Sequence, residues 1–108
     1  MDIFTTPSVP GRNVVEALGL VRGSVIRARH LGNDIVASLR NVVGGEVKEY
    51  SELLTKAREE AIDRMIQQAE ALGADAVVSV RFSTSTVMAG AAEILVYGTA
   101  VKLGQDTN

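Results

Sequence analysis

Between residues 22 and 40 the chain carries Arg22, Arg27, Arg29 and Arg40 with His30, against the single acid Asp34. Guanidinium groups grip carboxylates and phosphates bidentately. Arg27 and Arg29 also stand just before a segment that reads as a helix start, where free backbone amides favour anions. Arg27, Arg29 and Asn33 are therefore candidate residues for a small phosphorylated or carboxylated ligand. Two features compete with that role. Asp34 would repel an anion at the same helix start, and the acidic second half of the chain offers ion-pair partners across subunits. Residues 1–45 hold five Lys/Arg and three Asp/Glu, whereas residues 46–108 hold six and ten.

Metal chemistry has a thinner base. Soft heavy metals want thiolates, thioethers or imidazoles. The chain has no cysteine, one histidine, and Met1, Met65 and Met88 scattered along it. The candidate metal set is His30 with Asp34 and Glu46, which an assembly would bring together in several copies. A lone loop histidine is more often a surface or hydrogen-bonding group. Glu59, Glu60 and Asp63 share one helical arc, as a hard-cation site requires, but Arg58 and Arg64 lie among them and the arc reads as a solvated charged face. Asp75, between a helix end and a strand, reads as a turn residue whose side chain bonds nearby amides. No glycine loop has the spacing of a phosphate or dinucleotide cradle. No serine elbow or histidine-based pair is present, so no reaction is assignable.

The elements that must position these residues emerge from hydrophobic periodicity. Ile3–Thr6 is a short extended piece, closed by Pro7, Pro10 and Gly11. Val14–Arg27 reads as a long strand. Strict alternation puts Val14, Leu18, Leu20 and Ile26 on one face, and Val15, Ala17, Gly19, Val21, Gly23 and Val25 on the other. Ile35, Val36, Leu39, Val42 and Val43 form a helical stripe over about Asp34–Val43, with Asn33 as its N-cap and Gly44-Gly45 as its stop. A longer helix is predicted over Glu49–Leu72, its stripe running Leu54, Ala57, Ala61, Met65, Ala69 and Leu72, with Gly73 past its end. Ala76–Val87 and Glu93–Leu103 form a hairpin across a flexible Met88–Ala92 connection.

This order predicts an α+β domain over residues 1–108: an antiparallel three-stranded sheet packed on the long helix, with a shorter helix and a short N-terminal strand added. The first and last strands show apolar residues on both faces, the pattern of a sheet covered on both sides. Either the two helices take one face each in a monomer, or other copies cover the face that one helix layer leaves bare. Self-association is the expectation.

Composition narrows the partners. The four aromatic residues, Phe4, Tyr50, Phe82 and Tyr97, make no base-stacking platform, and no dense basic face exists for nucleic acid. No apolar run approaches the roughly 18 residues of a membrane span. The first residues lack the pattern of a secretory signal, and the absence of cysteine fits a reducing compartment. A cytoplasmic protein is the expectation.

Several segments together resemble one known family. They are Thr5-Thr6-Pro7, the strand containing Gly23, Val43-Gly44-Gly45, Ala57-Arg58, Ala71-Leu72-Gly73-Ala74-Asp75-Ala76-Val77-Val78, and Gly98-Thr99-Ala100-Val101. In order and spacing they are similar to the YbjQ family of small bacterial and archaeal proteins, uncharacterised and often labelled heavy-metal-binding. The resemblance covers roughly residues 3–103. It implies a dodecin-like β-α-β-β protomer with a helix inserted, assembled as a ring of five copies, in which short added strands such as Ile3–Thr6 help hold neighbours. It implies no activity.

Overall fold

The computed structural model describes residues 1–28, 48–88 and 90–106. The predicted short helix at Asp34–Val43 lies outside the described residues. Among the described residues five elements are seen: β1 (Asp2–Ile3), β2 (Arg12–Ala28), α1 (Lys48–Ala71), β3 (Ala76–Met88) and β4 (Ala91–Asp106).

The strands form one sheet in the order β1-β3-β4-β2. β2 and β3 both run antiparallel to β4, whereas β1 is parallel to β3, matching Asp2 to Ala76 and Ile3 to Val77. The sheet is thus four-stranded and mixed, not three-stranded and antiparallel as the periodicity predicts. The reason lies in the backbone bonds of the N-terminal segment. The Phe4 amide donates to the Val77 carbonyl at 2.8 Å, and the Val80 and Ser79 amides donate to the carbonyls of Phe4 and Thr6 at 2.9 and 3.0 Å. A segment read as an accessory holding neighbours spends its inward-facing groups on its own protomer. The hairpin connection is also tighter than predicted, since strand pairing runs to Met88↔Ala91 around Gly90 in a left-handed conformation.

The helix packs mainly on β2, and the residue types explain how closely. Ala57, Ala61, Met65 and Ala69 recur every fourth position and are fully buried. Beneath them lies Gly23, where a β-carbon would stand 1.9 Å from the Ala61 carbonyl oxygen and 2.7 Å from the Met65 nitrogen. Helix and strand backbones therefore touch, which only glycine permits. Val21, Val25, Val77, Val80, Ile94, Val96 and Ala100 complete this helix-side core. The helix ends in a Schellman motif. Gly73 has φ +76°, its amide bonds the Glu70 carbonyl at 2.9 Å, and the Ala74 amide bonds the Ala69 carbonyl at 3.0 Å.

The alternation is broken by register shifts in both β2 and β3. Register shifts between Val14 and Glu16 and between Ala17 and Gly19, the latter at φ +123° for Gly19, change the phase of β2. Ala17 pairs with Val101 and Gly19 with Ala100, and Leu18 packs against the helix-side cluster. Strict alternation places Leu18 with Leu20 on the opposite face, and the bulge is why it is not there. In β3 one shift falls at Ser79, at φ +55°, opposite Gly98, and another lies between Thr86 and Met88.

The face away from the helix is only partly covered. The segment around Phe4 and Val9 folds over Ala76, Val78, Val101 and Leu103, making a small second core. Further along that face Leu20 and Ile26 are 65% and 59% exposed, and Tyr97 is 37% exposed. All of Arg81–Met88 is exposed. The Cα radius of gyration is 17.7 Å with extents of 56 × 26 × 16 Å, against roughly 13 Å for a compact domain of this length.

Candidate functional site

Of the predicted ligand residues, Arg27 lies at the end of β2 and is engaged. Its guanidinium bonds Glu60 on α1, and the other carboxylate oxygen of Glu60 takes Arg64 Nη2 at 2.9 Å. Arg64 Nη1 in turn donates to the Ser24 carbonyl at 2.6 Å. One arginine of the basic segment is thus paired with the acidic second half, but inside a single protomer rather than across subunits as expected. Arg29 and Asn33, and the predicted metal set His30, Asp34 and Glu46, lie outside the described residues. Among the described residues no three His, Cys, Asp or Glu side chains gather as a metal site would need. Of the acidic arc on α1, Glu60 is the member committed to two arginines.

Asp75 behaves as its position predicts. Its Oδ2 accepts the Leu103 amide at 2.9 Å while its own amide bonds the Val101 carbonyl at 2.9 Å. It clamps the turn after α1 onto β4.

Periodicity overlooks a groove where the end of α1 crosses the outer edge of β2. Leu20, Arg22, Gln68, Ala71 and Leu72 line about 430 Å³ of space. The Gln68 side-chain oxygen accepts the Arg22 backbone amide at 2.9 Å. That bond leaves the carboxamide NH₂ as a donor in the groove that Arg22 also lines, and the Arg22 guanidinium has no carboxylate partner among the described residues. Two donor groups against apolar walls suit an anionic group carried on an apolar body. The available signal is Arg22 flanked two residues away by Leu20, at the wet edge of a strand.

Comparison with known proteins gives consistent results. Residues 1–104 match the model of the YbjQ family, described as "Putative heavy-metal-binding". A UPF0145 protein of Methanosarcina acetivorans is 61% identical over 103 residues, covering 95% of this chain and 97% of the relative. One from Archaeoglobus fulgidus is 61% identical over 101 residues, covering 94% of each. Thermotoga maritima has one that is 57% identical over 103 residues, covering 95% of this chain and 97% of its own. A crystal structure of a protein of unknown function from Pediococcus pentosaceus, assigned to the DUF74 family, matches with a TM-score of 0.62 at 15% identity, over 96% of this chain and 98% of that one. That likeness concerns the fold alone.

Proposed function

The chain belongs to the YbjQ family, and from that membership we propose that it acts in the cytoplasm as a homo-oligomeric scaffold or ligand-binding protein rather than as a catalyst. The observation that carries this reading is the bare apolar surface on the sheet face away from α1, where Leu20 and Ile26 are more than half exposed. Covering such a side chain contributes roughly 1.5–3 kcal/mol, a large share of a small domain's stability. A ring of five copies in a dodecin-like arrangement is the assembly that the family resemblance implies. Light scattering coupled to size exclusion tests it. The expected result is a discrete oligomer, and a stable monomer at micromolar concentration would overturn the reading.

A second reading rests on the groove at the end of α1. With Arg27 held by Glu60, a small anion finds its partner in Arg22, which lines the groove together with Gln68, Leu20 and Leu72. Thermal shifts with a panel of carboxylates and phosphates should show stabilisation that Arg22→Ala abolishes and Arg58→Ala preserves. Stabilisation indifferent to Arg22 would remove the groove from consideration.

A further inference from the structure

A sheet has two outer edges, and three of the four stretches that make them up here are closed to another strand. On the β2 side, the first half is broken by three register shifts between Arg12 and Gly19, and bulges blunt an edge. In its second half α1 lies against the edge and takes two of the outward groups, with Gln68 on the Arg22 amide and Arg64 on the Ser24 carbonyl. On the β3 side, β1 and the segment to Thr6 occupy the edge as far as Val80.

The fourth stretch is Arg81–Met88. It is exposed throughout, and among the described residues no strand pairs with its outer edge. Parity decides which residues offer their backbone there. The Val80 amide points outward, to Phe4, and strand alternation then aims the amides and carbonyls of Phe82, Thr84 and Thr86 the same way. The run Arg81-Phe82-Ser83-Thr84-Ser85-Thr86-Val87-Met88 has no proline, no glycine and one charge. Thr84, Thr86 and Val87 are β-branched and Phe82 is aromatic, so the run favours extended pairing. A register shift between Thr86 and Met88 blunts only the far end of the stretch, and Phe82–Thr86 pairs with β4 without a break.

We propose that this edge joins two copies of the chain through antiparallel pairing of β3 with β3, on a two-fold axis passing between the two Thr84 residues. The proposal deepens the homo-oligomer reading and rests on it. The stretch is self-complementary in this register. Thr84 meets its own copy and Phe82 meets Thr86, all with outward backbone groups, while Ser83 faces Ser85 and Arg81 faces Val87. No like charges are opposed, and Phe82 gains a β-branched neighbour across the strands. An isologous contact needs one surface only, which matches a molecule with one open edge among its described residues. Recognition of a foreign extended peptide takes specificity pockets for alternate side chains, and the groove beside Arg22 lies on the far edge, at β2. A two-fold contact cannot close a ring of five, so within that reading the pairing joins copies that belong to two different rings, while the apolar face, a different surface, serves contacts within each ring.

The absence of cysteine makes the test direct. Directly opposed residues in a hydrogen-bonded antiparallel pair have Cα atoms about 5.5 Å apart, within the disulfide range of roughly 4.4–6.8 Å. Thr84→Cys should therefore give mostly covalent dimer on mild oxidation, whereas Glu59→Cys on the helix surface should give almost none. Phe82→Cys and Thr86→Cys should each cross-link poorly alone and efficiently when mixed. If wild type is oligomeric by light scattering but Thr84→Cys cross-links no better than Glu59→Cys, the edge pairing is wrong and the assembly stands. If wild type is monomeric and Thr84→Cys stays uncoupled, both readings fail. A Thr84→Cys thiol shielded from alkylation without dimer formation would place another strand on the edge and overturn the proposal.

Discussion

At Gly23 a single missing β-carbon sets the distance between two elements. Most glycines can be argued from backbone freedom, but here the constraint is contact with the carbonyl of Ala61 and the amide of Met65. Both are backbone atoms, so no rotamer change relieves a clash. Gly23→Ala must move the helix or leave it undocked, and the fully buried Ala57, Ala61, Met65 and Ala69 move with it. Overpacking of this kind costs about 1–3 kcal/mol or more. The urea midpoint of Gly23→Ala should fall accordingly, while Glu59→Lys leaves it unchanged, and an unshifted midpoint for Gly23→Ala would contradict the close contact. Gly23 was legible as a place where a backbone could approach, because it interrupts an apolar strand face. The identity of the approaching element was not legible, because alanines every fourth residue mark a helix face without saying what it meets.

Among the elements, α1 has two jobs that its sequence states unequally. Its apolar stripe announces a core contact, which Leu54, Ala57, Ala61, Met65 and Ala69 make, whereas Leu72, past the helix end, is 48% exposed. Its polar flank also closes the outer edge of β2 through Gln68 and Arg64, a role no periodicity reveals, because a side chain bonded to another element's backbone resembles any wet residue. Gln68→Ala should cost about 1 kcal/mol, as for one lost hydrogen bond. It should also speed hydrogen exchange at the Arg22 amide at least tenfold, while the Val21 amide, facing β4, keeps its protection. Equal protection of Arg22 in both proteins would show that Gln68 does not hold the edge. Strand limits were likewise readable to within a few residues, whereas strand phase was not. Gly19 and Ser79 adopt positive φ, and each bulge reverses the facing of the residues beyond it. The parallel pairing of a two-residue strand such as β1 carries too few residues to show a period.

For the molecule as a whole, the bare face and the elongated form belong together. A sheet whose helix covers one face and whose hairpin runs on as an exposed ribbon is stretched because it lacks a second layer. Charge substitutions separate folding from assembly. Val21 and Val96 are fully buried in the helix-side core, so Val21→Asp should prevent folding. Val15 is 64% exposed and Leu20 65%, so Val15→Asp and Leu20→Asp should keep the far-ultraviolet circular dichroism of wild type while shifting the light-scattering mass towards the monomer. If both retain the wild-type mass, these residues do not lie between copies. Two-sided hydrophobicity was readable from the strand sequences alone. Which apolar residues stay uncovered was not, because that depends on how far along β2 the helix reaches.

The pairing of β2 with β4 has a consequence in time. Its register joins Ala28 to Ala91 and Arg12 to Asp106, so the longest ladder of the sheet must close a loop made of most of the chain. The β3–β4 hairpin closes across two residues between Met88 and Ala91. Non-local closure slows folding through the entropy it must overcome, which orders the events: hairpin first, β2 last. During synthesis the order is reversed. β2 emerges early and waits for a partner made roughly sixty residues later, on the order of 3–13 s at ordinary elongation rates. Throughout that interval Val21, Val25 and Ile26 sit on a strand with nothing to pair with, and the helix that will cover Val21 and Val25 is itself still being made. The nascent chain is then most exposed to chaperones and to wrong strand partners, and codon usage between the segments for α1 and β4 sets how long that exposure lasts.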